Sequence, residues 1–146
     1  MTTRPHPTAP VTSDAELTER WRSLLQLDGP PSQRRLYLAW LRTDGTMVPL
    51  LVPVEEIPLE PDREAIGKIA SLHSVVAESE GVGERDLHLA MHLERPGPRH
   101  ATVDDDAWCA AIESIVRDRD GLDCSVHVGD GRTAVPLLPR RAWPVR

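Results

Sequence analysis

Residues 36–41, LYLAWL, constrain the fold most, because the run is apolar on both of its faces. A strand alternates its side chains between two faces, so an unbroken apolar run has to be covered on both. The segment is therefore expected inside a sheet, with other elements packed on either side. Asp44–Gly45 follows as a strong hairpin signal, and TMVPLLVPV after it reads as the returning strand. Pro49 and Pro53 interrupt that strand, which suits an edge or a bulge.

The covering elements are legible from helical spacing. Ser13 with Glu16 three residues on has the form of a capping box, and Leu17, Trp21, Leu24 and Leu25 then share one face until Gly29 and Pro30 stop the helix. Asp62 can cap a second helix that runs to about Glu80, with Ile66, Ile69, Ala70, His73, Val76 and Ala77 inward and Gly81 as its stop. DLHLAMHL alternates with period two: Leu87, Leu89, Met91 and Leu93 take one face, and His88, Ala90, His92 and Glu94 the other. The loop RPGPRHA leads to a third helix over 104–119, with Trp108, Ala111, Ile112, Ile115 and Val116 inward and Gly121 at its close. LDCSVHV and TAVPL, joined by GDGR, complete the chain.

The order α-β-β-α-β-α-β-β predicts an α/β (mixed α+β) fold, a mixed sheet of about five strands flanked by helices. A chain of 146 residues suits one domain. Residues 1–12 are rich in Pro and Thr and are expected as a disordered tail, 13–139 as the domain, and 140–146 as a C-terminal tail. With four Trp, one Tyr and no Phe, the core must be built mainly from Leu, Val, Ile and Ala. The expected core comprises Leu36, Leu38, Trp40, Ile66, Ile69, Leu89, Met91, Trp108, Ile112 and Ile115.

A net charge of −6 argues against nucleic acid as a partner. Arg34–Arg35 and Arg140–Arg141 are too short to make a basic face. Cys109 and Cys124 form no disulfide or metal framework. No run approaches a membrane span, so a cytoplasmic location is expected.

The chemistry-bearing stretch is LAMHLERPGPRHATVDDDAW, residues 89–108. His92 and Glu94 share a strand face, and a helix N-terminus can bring Asp105 close, which together is an allowed zinc ligand set without the soft ligands of tight sites. The competing assignment is structural: Glu94 and Arg95 sit where the strand meets solvent, and Thr102, Asp104 and Asp105 sit where caps and first-turn acids belong. Caps are the commoner use of such residues, and the structural assignment is favoured. His88 lies on the same face as His92, so a groove near His88, His92 and Arg95 is a further candidate, for a small ligand. Cys124 and His127 fall on opposite strand faces, so a nucleophile pair is not expected, and Cys109 reads as a core residue. His73 reads as a satisfied core histidine. EGVGERD lacks a phosphate-loop pattern, and the three aspartates at 104–106 lack a cation-binding loop. Trp143, flanked by arginines, is either an interaction anchor or a flap over the domain's own sheet.

Three of these features together resemble the RadC-like branch of the JAB/MPN metalloprotease-like fold. HLERPGP at the end of the third strand stands where that family has His-x-His-Pro. TVDD opens the next helix in the manner of its Ser-x-x-Asp, and HVGDGR at 127–132 matches its Val-Gly-Asp-Gly turn. The resemblance covers roughly residues 36–138. It implies that His92 and Glu94 take the two histidine positions, and Thr102 and Asp105 the Ser and Asp positions. Aligned instead on Pro96, the histidine positions fall on Leu93 and Arg95, which cannot serve. The family's general-base glutamate on the second hairpin strand has no counterpart, since TMVPLLVPV holds no acid before Glu55.

The resemblance thus implies the family fold with a degenerate metal motif. The expected function is a non-catalytic domain that binds another protein or a second copy of itself, with no cofactor, no nucleic acid and no membrane. The alternatives are a metal-dependent hydrolase with a rearranged His92, Glu94 and Asp105 site holding zinc, and a small-ligand binding domain. A homodimer is expected, with Leu50, Leu51 and Trp143 as contact residues, because the apolar second strand needs cover.

Overall fold

The structure, a computed structural model, describes residues 9–25 and 31–144. Five strands form one mixed sheet: β1 (Arg35–Leu41), β2 (Val52–Glu55), β3 (His88–Glu94), β4 (Cys124–Gly129) and β5 (Ala134–Leu138). Their spatial order is β2-β1-β3-β4-β5; β3 and β4 run parallel, and the other pairs are antiparallel. The α-helices are α1 (Asp14–Leu24), α2 (Arg63–Glu80) and α3 (Val103–Ile112). The expected α-β-β-α-β-α-β-β order and the α/β class are observed.

β1 is central, as its apolar faces require. Leu36, Leu38 and Trp40 join Leu89, Met91, Val126 and Val128 in a core with Ile66 and Ile69 of α2 and Trp108 and Ile112 of α3. Tyr37, Ala39 and Leu41 face the other way and pack with Leu17 and Trp21 of α1. Every residue of the expected core is buried. The helix starts are set by side-chain caps: Ser13 accepts from the Glu16 N–H, and Asp62 from the Ala65 N–H. Gly81 closes α2 in the left-handed conformation at φ 71°. No helix among the described residues is long and apolar enough to cross a membrane.

Four expectations are corrected. TMVPLLVPV yields strand only over Val52–Glu55, with one further bridge, Leu41 to Met47. The third helix changes at Ile112 into π-helical turns over Glu113–Arg119, closed by the Asp120 N–H on the Ile115 carbonyl. Those wider turns carry Arg117, 7 % exposed, to the carbonyls of Cys124 and Pro139 at 2.5 and 2.7 Å. The packed chain also starts before residue 13. Val11 is 2 % exposed and its N–H donates to the Gly45 carbonyl. Gly45 sits at φ +87°, and a Cβ there would meet the Val11 oxygen at 2.5 Å, so only glycine fits the turn. At the other end, residues 140–143 fold back onto the domain rather than trailing from it: Arg140 pairs with Asp123, and Trp143 packs against the α1 side of the sheet. The expected disorder of residues 1–8 and the stop at Gly29 and Pro30 lie outside the described residues, as do residues 145 and 146.

Each sheet edge carries a proline, Pro53 on β2 and Pro136 on β5. Proline has no N–H to offer a neighbouring strand, so both edges are poor templates for sheet extension.

Replacing Leu89 or Ile112 by Ala removes a side chain that is at most 1 % exposed from the larger core. Each is expected to cost about 2–5 kcal/mol, read as a lower denaturant midpoint at unchanged slope.

Candidate functional site

The α1 side of β3 and β4 carries polar side chains where an apolar face is the norm. The parallel register sets Ala90 beside Ser125, His92 beside His127 and Glu94 beside Gly129, and period two puts His88 and Asp123 on the same face. All of these β3 and β4 side chains are buried. His88, His92 and Glu94, expected at a groove or at solvent, are sealed under α1 and the C-terminal segment at 1–2 % exposure.

At one end of this row His88, Asp123 and Ser125 satisfy one another. His88 Nδ1 is 3.0 Å from Asp123 Oδ2, and its Nε2 is 2.8 Å from Ser125 Oγ. Arg140 Nε donates to the same Asp123 oxygen at 2.7 Å and its guanidinium lies over Trp143 at 4.9 Å. The Asp-His-Ser order is that of a nucleophilic triad, but Ser125 is fully buried and lines none of the described cavities. Burial lowers the His88 pKa despite the opposing pull of Asp123. This end is a hydrogen-bonded network around His88, with Arg140 Nη1 and Trp143 Nε1 buried beside it without a partner among the described residues, and Trp143 is a flap over it, 6.2 Å from the His88 ring.

The middle of the row meets α1. Thr18 Oγ1 donates to the Asp14 carbonyl at 3.0 Å and stands 2.8 Å from His127 Nε2. With its own proton used, the hydroxyl accepts from His127, which leaves His127 Nδ1 a buried acceptor without a partner among the described residues. Burial, with His92 and His88 adding to it, pushes the His127 pKa down to about 3.

The far end is incomplete. Neither ring nitrogen of His92 has a hydrogen-bond partner among the described residues, although the side chain is buried. A neutral imidazole always carries one N–H, so a donor is buried unmet there. Its Nε2 lies 3.5 Å from Glu94 Oε2, beyond hydrogen-bond length. Glu94 Oε1 accepts the Gly131 N–H at 2.8 Å. Gly129 is required beside them: a Cβ there would meet His92 Nε2 at 2.6 Å and Glu94 Oε1 at 2.7 Å. The Trp21 ring packs on His92 at 5.1 Å, and its Nε1 is likewise buried without a partner. A cavity of about 540 Å³ opens here, lined by Trp21, His92, Glu94, Gly131, Arg132 and Thr133 among others.

Asp105 is not at this site. Arg95 follows Glu94 and turns away from its face, and its Nε and Nη2 hold Asp105, the latter at 2.7 Å. Arg95 also donates to the carbonyls of Pro98 and His100, at 2.5 and 2.9 Å. Both side chains are at most 1 % exposed. Thr102 and Asp105 form a reciprocal capping box at the start of α3. Burial opposes the Asp105 charge, but Arg95 and Thr102 outweigh it and hold the carboxyl below its ordinary range. The residues 92, 94, 95, 102 and 105 thus divide into two clusters, and His88 belongs to a third. Among the described residues no group of three or more His, Cys, Asp or Glu is placed to hold a metal ion. Burial first of all raises the thiols of Cys109 and Cys124 to about 11, so neither is an activated nucleophile. His73 is a satisfied core residue that accepts from Trp40 Nε1 at 3.3 Å.

Compared with protein-family models, with curated proteins and with solved structures, the chain matches none.

Several members of these clusters escaped sequence reasoning. Ser125, Asp123 and Thr18 carry no motif, and only the β3–β4 register and the docking of α1 bring them to the histidines. Trp21 read as an ordinary core residue. Gly129 and Gly131 lie inside VGDGR, and that turn was the available signal.

Two predictions follow from the buried charges and rings. His88 and His127 have folded pKa values below the unfolded value near 6.5. Their contribution to stability is therefore complete above pH ~6.5 and is lost as pH falls toward the folded values. Each fully neutral buried ring is expected to cost about 1.4 kcal/mol per pH unit in that window, so denaturation at pH 7, 6 and 5 should show a falling midpoint. His127→Gln, which keeps a donor for Thr18, should flatten that slope. Second, Arg95→Met leaves the Asp105 charge buried and is expected to cost about 3–5 kcal/mol. Adding Asp105→Leu should restore much of the loss, measured as the midpoint of the double variant against each single one.

Proposed function

We propose that the chain is a non-catalytic domain of RadC-like, JAB/MPN type that works by binding, and that a second copy of the chain is its partner. The observation that carries the non-catalytic half is the Arg95–Asp105 pair. The resemblance makes Asp105 a metal ligand, yet its carboxylate is used by a guanidinium within the chain at 2.7 Å and by the cap of α3. A permanently charged arginine stabilises the acid as a cation would, without an open coordination position for water or substrate. His92 and Glu94 alone are too few to fix a catalytic zinc, which needs three protein ligands.

The binding half draws on the apolar surface beside β2. Leu50 and Leu51 are 41 % and 36 % exposed, and Leu59 is 56 % exposed. Pro53 disfavours a contact by strand addition, so the contact fits side-chain packing across a two-fold axis, where one patch meets its own copy. Trp143 drops out of this surface because it is turned onto His88.

A second reading, a small-ligand binding domain, is favoured by the cavity at His92, where buried polar atoms have no partner among the described residues. It is compatible with a dimer through Leu50 and Leu51, since the two surfaces share no residue.

The test is metal content and mass of the untagged protein. Elemental analysis should find well under one equivalent of zinc, and sedimentation should give a dimer that Leu50→Asp or Leu51→Asp converts to monomer. Stoichiometric zinc released by His92→Ala would overturn the non-catalytic reading. A monomer at high micromolar concentration would overturn the choice of partner.

A further inference from the structure

We propose that the cavity between α1 and the ends of β3 and β5 binds a small amphoteric molecule, with a cationic group held by Glu94 and an acidic group met by Arg132. The proposal goes beyond the self-association reading and does not depend on it.

The floor of the cavity has the chemistry of a cation seat. Glu94 is 2 % exposed, accepts one backbone N–H, and has no Arg or Lys beside it among the described residues. A carboxylate this far from water is costly unless a positive charge or several donors face it. His92 lies too far for a hydrogen bond, at 3.5 Å. A guanidinium or ammonium donates to Oε2 and supplies the missing charge in one group. Trp21 lines the same cavity and its indole face favours a cation nearby. The His92 nitrogens and Trp21 Nε1 give further donors and acceptors, so the seat is built from polar groups without a partner among the described residues. Gly129 keeps this corner clear, because a Cβ would occupy the space against His92 and Glu94.

The rim sets the other end of the ligand. Of its charged side chains, Arg22 is paired with Glu19 at 2.9 Å. Arg132 lines the rim without an ion pair among the described residues. An unpaired guanidinium at the mouth repels a simple cation but attracts one that carries a carboxylate at its far end. A volume of about 540 Å³ suits a molecule of amino-acid size with attendant water. The ligand class is therefore a basic amino acid or a compound of the same charge pattern.

Calorimetry and thermal shift with arginine, lysine and ornithine test the idea, with citrulline as the uncharged isostere of arginine and agmatine as its form without carboxylate. At least one of the three basic amino acids should bind. For arginine, citrulline and agmatine should each bind about tenfold to a hundredfold more weakly. Glu94→Gln keeps an acceptor for the Gly131 N–H and should remove the preference for arginine over citrulline. Arg132→Ala, at an exposed position, should remove the preference for arginine over agmatine. If lysine or ornithine is the binder, its side-chain-acetylated and decarboxylated forms take the same two places. Should none of the basic amino acids bind at millimolar concentration, the cavity holds water only and the proposal fails. It fails equally if Glu94→Gln, shown to be folded by circular dichroism, binds the charged and neutral forms as the parent does. An arginine held inside a peptide that binds as well as the free amino acid would assign the seat to a protein side chain and overturn the small-molecule assignment. Sedimentation of the same variants separates these outcomes from the dimer, because Leu50 and Leu51 do not line the cavity that Glu94 and Arg132 line.

Discussion

Burial of β3 on both faces is the constraint from which the other features follow. Its backbone is paired to β1 and β4, and its apolar side is covered by α2 and α3, an ordinary core. Its other side carries His88, His92 and Glu94 and is nonetheless sealed by α1. Desolvating three ionisable side chains in one strand is unfavourable unless each finds a partner. The chain solves this locally and unevenly. His88 has Asp123 and Ser125, and His127 has Thr18 from the covering helix, whereas His92 has no hydrogen-bond partner among the described residues. Stability and the open polar site are thus two ends of the same row.

α1 is the element on which this arrangement turns. It supplies Leu17 and Trp21 to the smaller core, Thr18 to His127, and one wall of the cavity. Its attachment is reinforced from both ends of the chain. Val11 is pinned to the Gly45 turn, and the Arg140 N–H reaches Asp14 at 3.4 Å. The helix is thus held by packing, by one histidine bond and by the two terminal segments. Protonation of His127 removes none of the apolar contacts but places charge beside His92 and His88, which the smaller core cannot solvate.

The fold was legible because its signals are local. LYLAWL demanded two-sided cover, DLHLAMHL announced its alternation, and Ser13, Asp62, Thr102 and Gly81 marked helix ends with residues whose side chains or conformations do that job. The prolines in TMVPLLVPV were visible too, but how much of the strand they would erase was not, since that depends on which backbone groups β1 needs. The π-helical turns after Ile112 were hidden for a similar reason: they answer to the distant carbonyls of Cys124 and Pro139 through Arg117. The site was less legible still. Period two put His92 and Glu94 together correctly, yet solvent was the natural expectation for Glu94 and Arg95, because nothing in the sequence says that the end of a strand will be roofed.

Arg95 and Glu94 show how one residue step separates two uses of charge. Adjacent in sequence, they face opposite sides of the sheet. Arg95 on one side is taken up within the chain: it donates to Asp105 and to two loop carbonyls, and Asp105 in turn accepts the Thr102 N–H in the cap of α3. Glu94 on the other side is as deeply buried but has a single donor and borders open volume. The internal cation ties the carbonyls of Pro98 and His100 and the first turn of α3 to the end of β3. Glu94 sits over the Gly129–Gly131 turn through the Gly131 N–H, and a carboxylate placed in advance selects a partner by charge and geometry at lower ordering cost.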